Sequence, residues 1–105
     1  MEKCYSPDLD NFSFKIGQYN VKLHLVDTVG EDVYGESVTF PNYKVSVSNK
    51  LKGVILLSTI LHELIHTMSS VHSLGLNEKQ VCAMENALYQ FIRDNESFVD
   101  MICDK

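Results

Sequence analysis

The chain has no tryptophan, only two prolines, and three cysteines placed far apart at Cys4, Cys82 and Cys103. An odd number at wide spacing suggests neither a disulfide framework nor a C-x-x-C zinc knuckle. A reducing cytoplasm is therefore the expected compartment. Long apolar runs are missing too. The longest, "VILLSTIL", is 8 residues and contains Ser58 and Thr59, far short of a bilayer span. The opening "MEKCYSPDLD" lacks the charged-then-apolar pattern of a signal peptide, and no membrane partner is expected. There is no basic run or stripe, and the net charge is −5 at pH 7. Nucleic acid is accordingly not expected as a direct partner.

What is present is enough apolar material to fold. Hydrophobic residues make up 45% of 105 residues, which fits one domain, 1–105, with one modest core. Residues 1–11 read as a loose leader. "FSFKIGQYNVKLHLV" then alternates, with Phe12, Phe14 and Ile16 on one face and Tyr19, Val21, Leu23 and Leu25 on another beyond Gly17-Gln18. That pattern is a hairpin with a two-residue turn opened by glycine. "DTVGED" reads as a loop. "YGESVTF" and "YKVSVS" form a second alternating pair, with Pro41-Asn42 at the turn.

From residue 50 the period lengthens. Ile60, Leu61, Leu64, Ile65, Met68 and Val71 recur at helical spacing. Ser48 or Asn49 can cap this helix, and Gly75 can end it in the left-handed conformation. Asn77 with Gln80 three residues on is a capping-box pattern. The helix behind it carries Val81, Met84, Leu88 and Ile92 on one side and fades near Asp94-Asn95. A short helix over about 96–103 follows. The expected fold class is α+β: a small antiparallel sheet of two hairpins, then helices.

The chemistry sits in "STILHELIHTMSSVH", residues 58–72. On a helical wheel with His62 at zero, His66 lies at about 40° and Glu63 at about 100°, while the apolar stripe centres near 220°. A solvated face would carry polar residues there without any function. Two imidazoles one turn apart with this register, however, can each put a nitrogen on one zinc ion. Glu63, on the flank, is placed to act as a general base rather than a ligand.

Two histidines need a third ligand, and three residues compete for the role. Glu85 gives H-E-x-x-H, eighteen residues, then Glu, a gluzincin-like spacing. It lies between Val81, Leu88 and Ile92, where a carboxylate needs a partner. Cys82, one turn earlier, could ligate as thiolate. His72 completes metzincin spacing, but Ser69 stands where that pattern has Gly. A helix running on through residue 72 would turn His72 towards the apolar side.

The chain resembles small phage and prophage zinc-metallopeptidase-like proteins and, more distantly, the ImmA/IrrE-type metallopeptidases. The resemblance covers about residues 12–95. It is carried by "FKIGQYNVKL", "YGESVTF", "YKVSVS", "LLSTILHELIHTM" and "EKQVCAMENALYQFIRDN". It implies a minimal zincin-like fold, with His62 and His66 as zinc ligands and Glu63 as general base. It also shows a departure, because the family's usual third ligand aligns with Cys82 and leaves Glu85 at a position where a small residue is usual. The implied activity is peptide-bond hydrolysis, with Tyr89 or Tyr34 as candidate oxyanion donors and "YGESVTF" as an edge strand for an extended substrate. A protein or peptide substrate is expected, with a transcriptional regulator as the target the resemblance implies, in a bacterial host's cytoplasm. The competing expectation is a non-catalytic, zinc-stabilised phage protein that binds a host protein.

Overall fold

A computed structural model describes residues 9–27, 33–39 and 42–104. Four strands come first: β1 (Ser13–Ile16), β2 (Tyr19–Val26), β3 (Gly35–Val38) and β4 (Lys44–Ser48). Three helices follow: α1 (Gly53–Val71), α2 (Glu78–Asp94) and α3 (Glu96–Cys103). The α+β layout is thus the one the periodicities indicate. Both hairpin pairings form. β1 and β2 run antiparallel about Gly17-Gln18, and β3 and β4 run antiparallel with Gly35 opposite Val47. Gly17 has φ +59°, as a turn with glycine at its first central position requires.

The hairpins do not join as a purely antiparallel sheet. The order is β1-β2-β4-β3, and β2 lies parallel to β4, with Leu23 opposite Val45. The sheet is therefore mixed. The chain leaves β2, crosses to the far edge as β3 and returns as β4 between them. Burial explains the choice. Val45 and Val47 are fully buried, so the strand carrying them gains most from a central place. The short, polar "GESV" strand tolerates an edge. Pro41 and residues 28–32 of the expected turn and loop lie outside the described residues.

One face of the sheet carries Val21, Leu23, Val45 and Val47 against Leu56, Ile60 and Leu64 of α1. Each such aliphatic side chain contributes about 1.5–3 kcal/mol through burial. Ile65 and Val81, also buried, stand outside this cluster, on the helices α1 and α2 that pack together. α1 is long and apolar enough to cross a membrane by length and composition, with mean hydropathy 1.4. The core helix of a sheet-and-helix domain has the same profile, and this one lies on the sheet.

Three local expectations are corrected. Residues 9–11 of the leader are tied down: Asn11 N–H donates to Leu23 O at 2.7 Å and Leu25 N–H to Asp10 Oδ1 at 2.9 Å. Residues 1–8 of the leader lie outside the described residues. Neither Ser48 nor Asn49 caps α1, whose N-cap is Lys52 without a side-chain bond. Ser48 Oγ instead accepts from Lys50 N–H, and Asn49 Nδ2 donates to Asp27. Finally, α1 ends at Val71 rather than running on to Gly75. Ser73 takes the left-handed conformation at φ 55°. Its N–H reaches Ser70 O, and Leu74 N–H reaches Ser69 O, the paired bonds of a Schellman motif.

Candidate metal centre

α1 lies on the sheet with β3 along one flank and α2 along the other, and the H-E-x-x-H face opens between them. The turn at Ser73 sends the chain back, and Ser69 Oγ accepts from Leu76 N–H at 2.9 Å to hold the connection. The capping box at the head of α2 forms as expected. Asn77 Oδ1 accepts from Gln80 N–H at 2.8 Å, and Gln80 Oε1 accepts from Asn77 N–H at 2.9 Å. This cap sets the first residue of α2, Glu78, against α1.

His62, His66 and Glu78 each bring one donor atom to a common position, all within 4.8 Å of one another. Glu78 Oε2 lies 2.9 Å from His62 Nε2, and Oε1 lies 2.8 Å from His66 Nε2. A carboxylate can only accept, so each contact requires either a hydrogen on the imidazole nitrogen or a metal ion between the atoms. Two imidazole nitrogens and one carboxylate oxygen are the donor types zinc takes in catalytic sites. Burial at the site pushes the Glu78 carboxyl up. The His66 hydrogen bond and the charges of His62 and His66 outweigh it and hold the group below its usual range.

The histidines do not form a solvated face. The side chain of His62 is 13% exposed, because α2 covers it. Its other nitrogen, Nδ1, lies 2.8 Å from Glu85 Oε1, and Ser58 Oγ donates to the second oxygen of the same carboxylate. Glu85 therefore has partners inside its apolar stripe, as its position demands, but they are Ser58 and the far side of His62. It is not among the three groups that converge.

Glu63 lies on the flank of the histidines that faces β3. A Cβ added at Gly35 would come within 3.0 Å of Glu63 Cγ and Oε2, so any larger residue there would force the carboxyl to give way. Burial raises the Glu63 carboxyl above its usual range, against the charges of His62 and His66 and a hydrogen bond from Ser37, which lower it.

The remaining candidates lie elsewhere or in supporting roles. Cys82 is exposed, and its thiol points at Glu78 Oε2 from 3.6 Å. Local desolvation and the neighbouring Glu78 and Glu85 carboxylates push that thiol up, away from thiolate. His72 is the exposed C-cap of α1. Its ring lies over the β1–β2 turn, 3.8 Å from where a Cβ on Gly17 would be. Tyr34 is 60% exposed, and the Tyr89 ring lies under the Arg93 guanidinium at 5.8 Å. Among the described residues, neither hydroxyl enters the hydrogen bonds of the site.

Glu78 is the site residue that sequence reasoning passed over. The signal was the capping box, which marks Glu78 as the first residue of its helix. Capping chemistry is local, however, and does not show which side chains of α1 that residue meets.

No protein-family model matches the chain, and no curated protein or solved structure matches it.

Proposed function

We propose that the protein is a zinc-dependent peptide hydrolase of minimal, zincin-like build. The observation that carries this reading is the convergence of His62 Nε2, His66 Nε2 and the Glu78 carboxylate on one position, with Glu63 buried beside them. Three protein donors leave room for water, which a catalytic site needs, whereas four would close it. Cys82, as a thiol directed at Glu78, and Glu85, engaged by Nδ1 and Ser58, do not supply a fourth.

In this reading His62, His66 and Glu78 hold the ion. When bound, zinc supplies Lewis acidity, polarising the scissile carbonyl and making a water acidic near neutral pH. Glu63 takes the proton from the attacking water at its carboxylate. As the C–N bond breaks, it passes that proton to the leaving amine. β3 is an edge strand, and its inner residues Gly35 and Ser37 border Glu63. An extended peptide paired to its free edge would run past that carboxyl. A protein substrate such as a transcriptional regulator, in a bacterial cytoplasm, is part of this proposal.

A second reading, a zinc-stabilised module that binds a host protein, draws on a different observation. Phe91, Phe98, Met101 and Ile102 are all exposed on α2 and α3, with the Phe91 and Phe98 rings 6.1 Å apart, and exposed apolar groups clustered in this way can mark interaction sites. Glu63→Gln separates the two readings. The amide cannot take a proton, so the variant should keep zinc and fold while losing all turnover of a peptide library. Turnover equal to wild type would refute Glu63 as the base. A wild-type protein that binds zinc but cleaves nothing would favour the binding module.

A further inference from the structure

The His62 ring is held from both sides, and the two sides differ. Nε2 faces Glu78 and the converging position, whereas Nδ1 faces Glu85 Oε1 at 2.8 Å. Glu85 is itself held. Its second oxygen accepts from Ser58 Oγ, and Ser58 sits one helical turn before His62 on α1. The Glu85 side chain is only 18% exposed, so its carboxylate needs these two donors to offset lost hydration. A carboxylate accepts and cannot donate, which puts the hydrogen of this contact on Nδ1. Turning the ring over would replace that N–H with a C–H and remove the bond. His66 is more exposed, at 28%, and shows no comparable second contact among the described residues.

We propose that Glu85, braced by Ser58, is a positioning residue: it keeps a proton on Nδ1 of His62 and turns Nε2 towards the metal position. This rests on the metal reading above but not on catalysis. It reassigns the residue that spacing alone favoured as third ligand. Glu85 acts through the His62 ring rather than on the ion, and Glu78 takes the ligand's place. With Nδ1–H held by Glu85, the ring needs no rotation to present Nε2 to a metal, and the carboxylate makes that nitrogen a better donor.

The test combines proton and nitrogen NMR of the imidazole rings with zinc competition against a chelator, on the full chain. Wild type should show a slowly exchanging Nδ1 proton on His62, both without metal and with zinc. Glu85→Ala should lose that proton and weaken zinc binding about 10- to 100-fold. Glu85→Gln keeps an accepting oxygen and should retain the proton, which guards against mere loss of fold. Ser58→Ala should show a smaller effect in the same direction. Absence of a protected Nδ1 proton in wild type would overturn the proposal. So would Glu85→Ala with wild-type affinity. A loss in Glu85→Ala as deep as in Glu78→Ala would also overturn it, by making Glu85 a ligand. Peptide cleavage enters none of these measurements, so a protein that binds zinc without cleaving anything leaves the proposal standing while ending the hydrolase reading. If wild type binds no zinc, the metal reading falls, and the ring proton alone decides whether Glu85 holds His62.

Discussion

Glu78, Cys82 and Glu85 lie along one side of α2 and relate to the histidines of α1 in three different ways. Glu78 bridges both Nε2 atoms, Cys82 donates to Glu78, and Glu85 takes Nδ1. Their substitutions should therefore rank clearly. Glu78→Ala removes a converging donor and should reduce zinc affinity by several orders of magnitude. Cys82→Ser keeps a small donor beside Glu78 and should cost no more than about tenfold, within the range of outer partners. Chelator competition measures both, and a collapse in Cys82→Ser alone would restore the thiolate as ligand. On the opposite flank, Gly35→Ala places a methyl 3.0 Å from the Glu63 carboxyl and 3.1 Å from Thr59 Cγ2. The carboxyl must shift, and overpacking of this kind costs about 1–3 kcal/mol. The expected outcome is a stable zinc complex with strongly reduced turnover. Unchanged turnover would show that Glu63 has latitude the packing does not suggest.

At the scale of elements, the junction between α1 and α2 decides the site. The Schellman turn ends α1 early enough for α2 to fold back, and the capping box fixes the residue that arrives first. Ser73 pays for the left-handed turn with a conformation that L-residues avoid at roughly 1 kcal/mol. Ser73→Gly should raise the thermal midpoint by a few degrees without changing zinc affinity, and calorimetry reads this directly. Asn77→Ala should lower stability by about 1 kcal/mol. Because the cap also seats Glu78, zinc affinity should fall further than that loss of stability explains. Wild-type affinity in a destabilised Asn77→Ala protein would show that Glu78 finds the histidines without its cap.

For the whole molecule, the site joins segments that the sheet and helices bring together, so metal binding should tie them. An ion bound only by the folded chain adds stability by mass action, about 4 kcal/mol at a free concentration a thousand times Kd. Zinc should accordingly raise the thermal midpoint by a wide margin, and a chelator should reverse the shift. In the His62→Ala, His66→Ala double variant zinc should change nothing. A zinc-dependent shift that survives in that variant would place the metal elsewhere.

The features legible in the sequence are those set by local periodicity. Alternation over residues 12–25 and 43–48 reports strands with one apolar face, and a 3.6-residue period reports the helix that carries His62, Glu63 and His66 on its polar side. The capping box at Asn77 and the short last helix follow from equally local rules. Periodicity tells which side of an element is apolar but not which element covers it. The strand order was therefore decided only in the folded chain, where burying Val45 and Val47 sends β4 to the centre and leaves β3 at the edge. The partner of the two histidines was decided there as well. A left-handed Ser73, which no residue preference announces, sets where α2 begins its return, and that return brings Glu78 rather than Glu85 to both imidazoles.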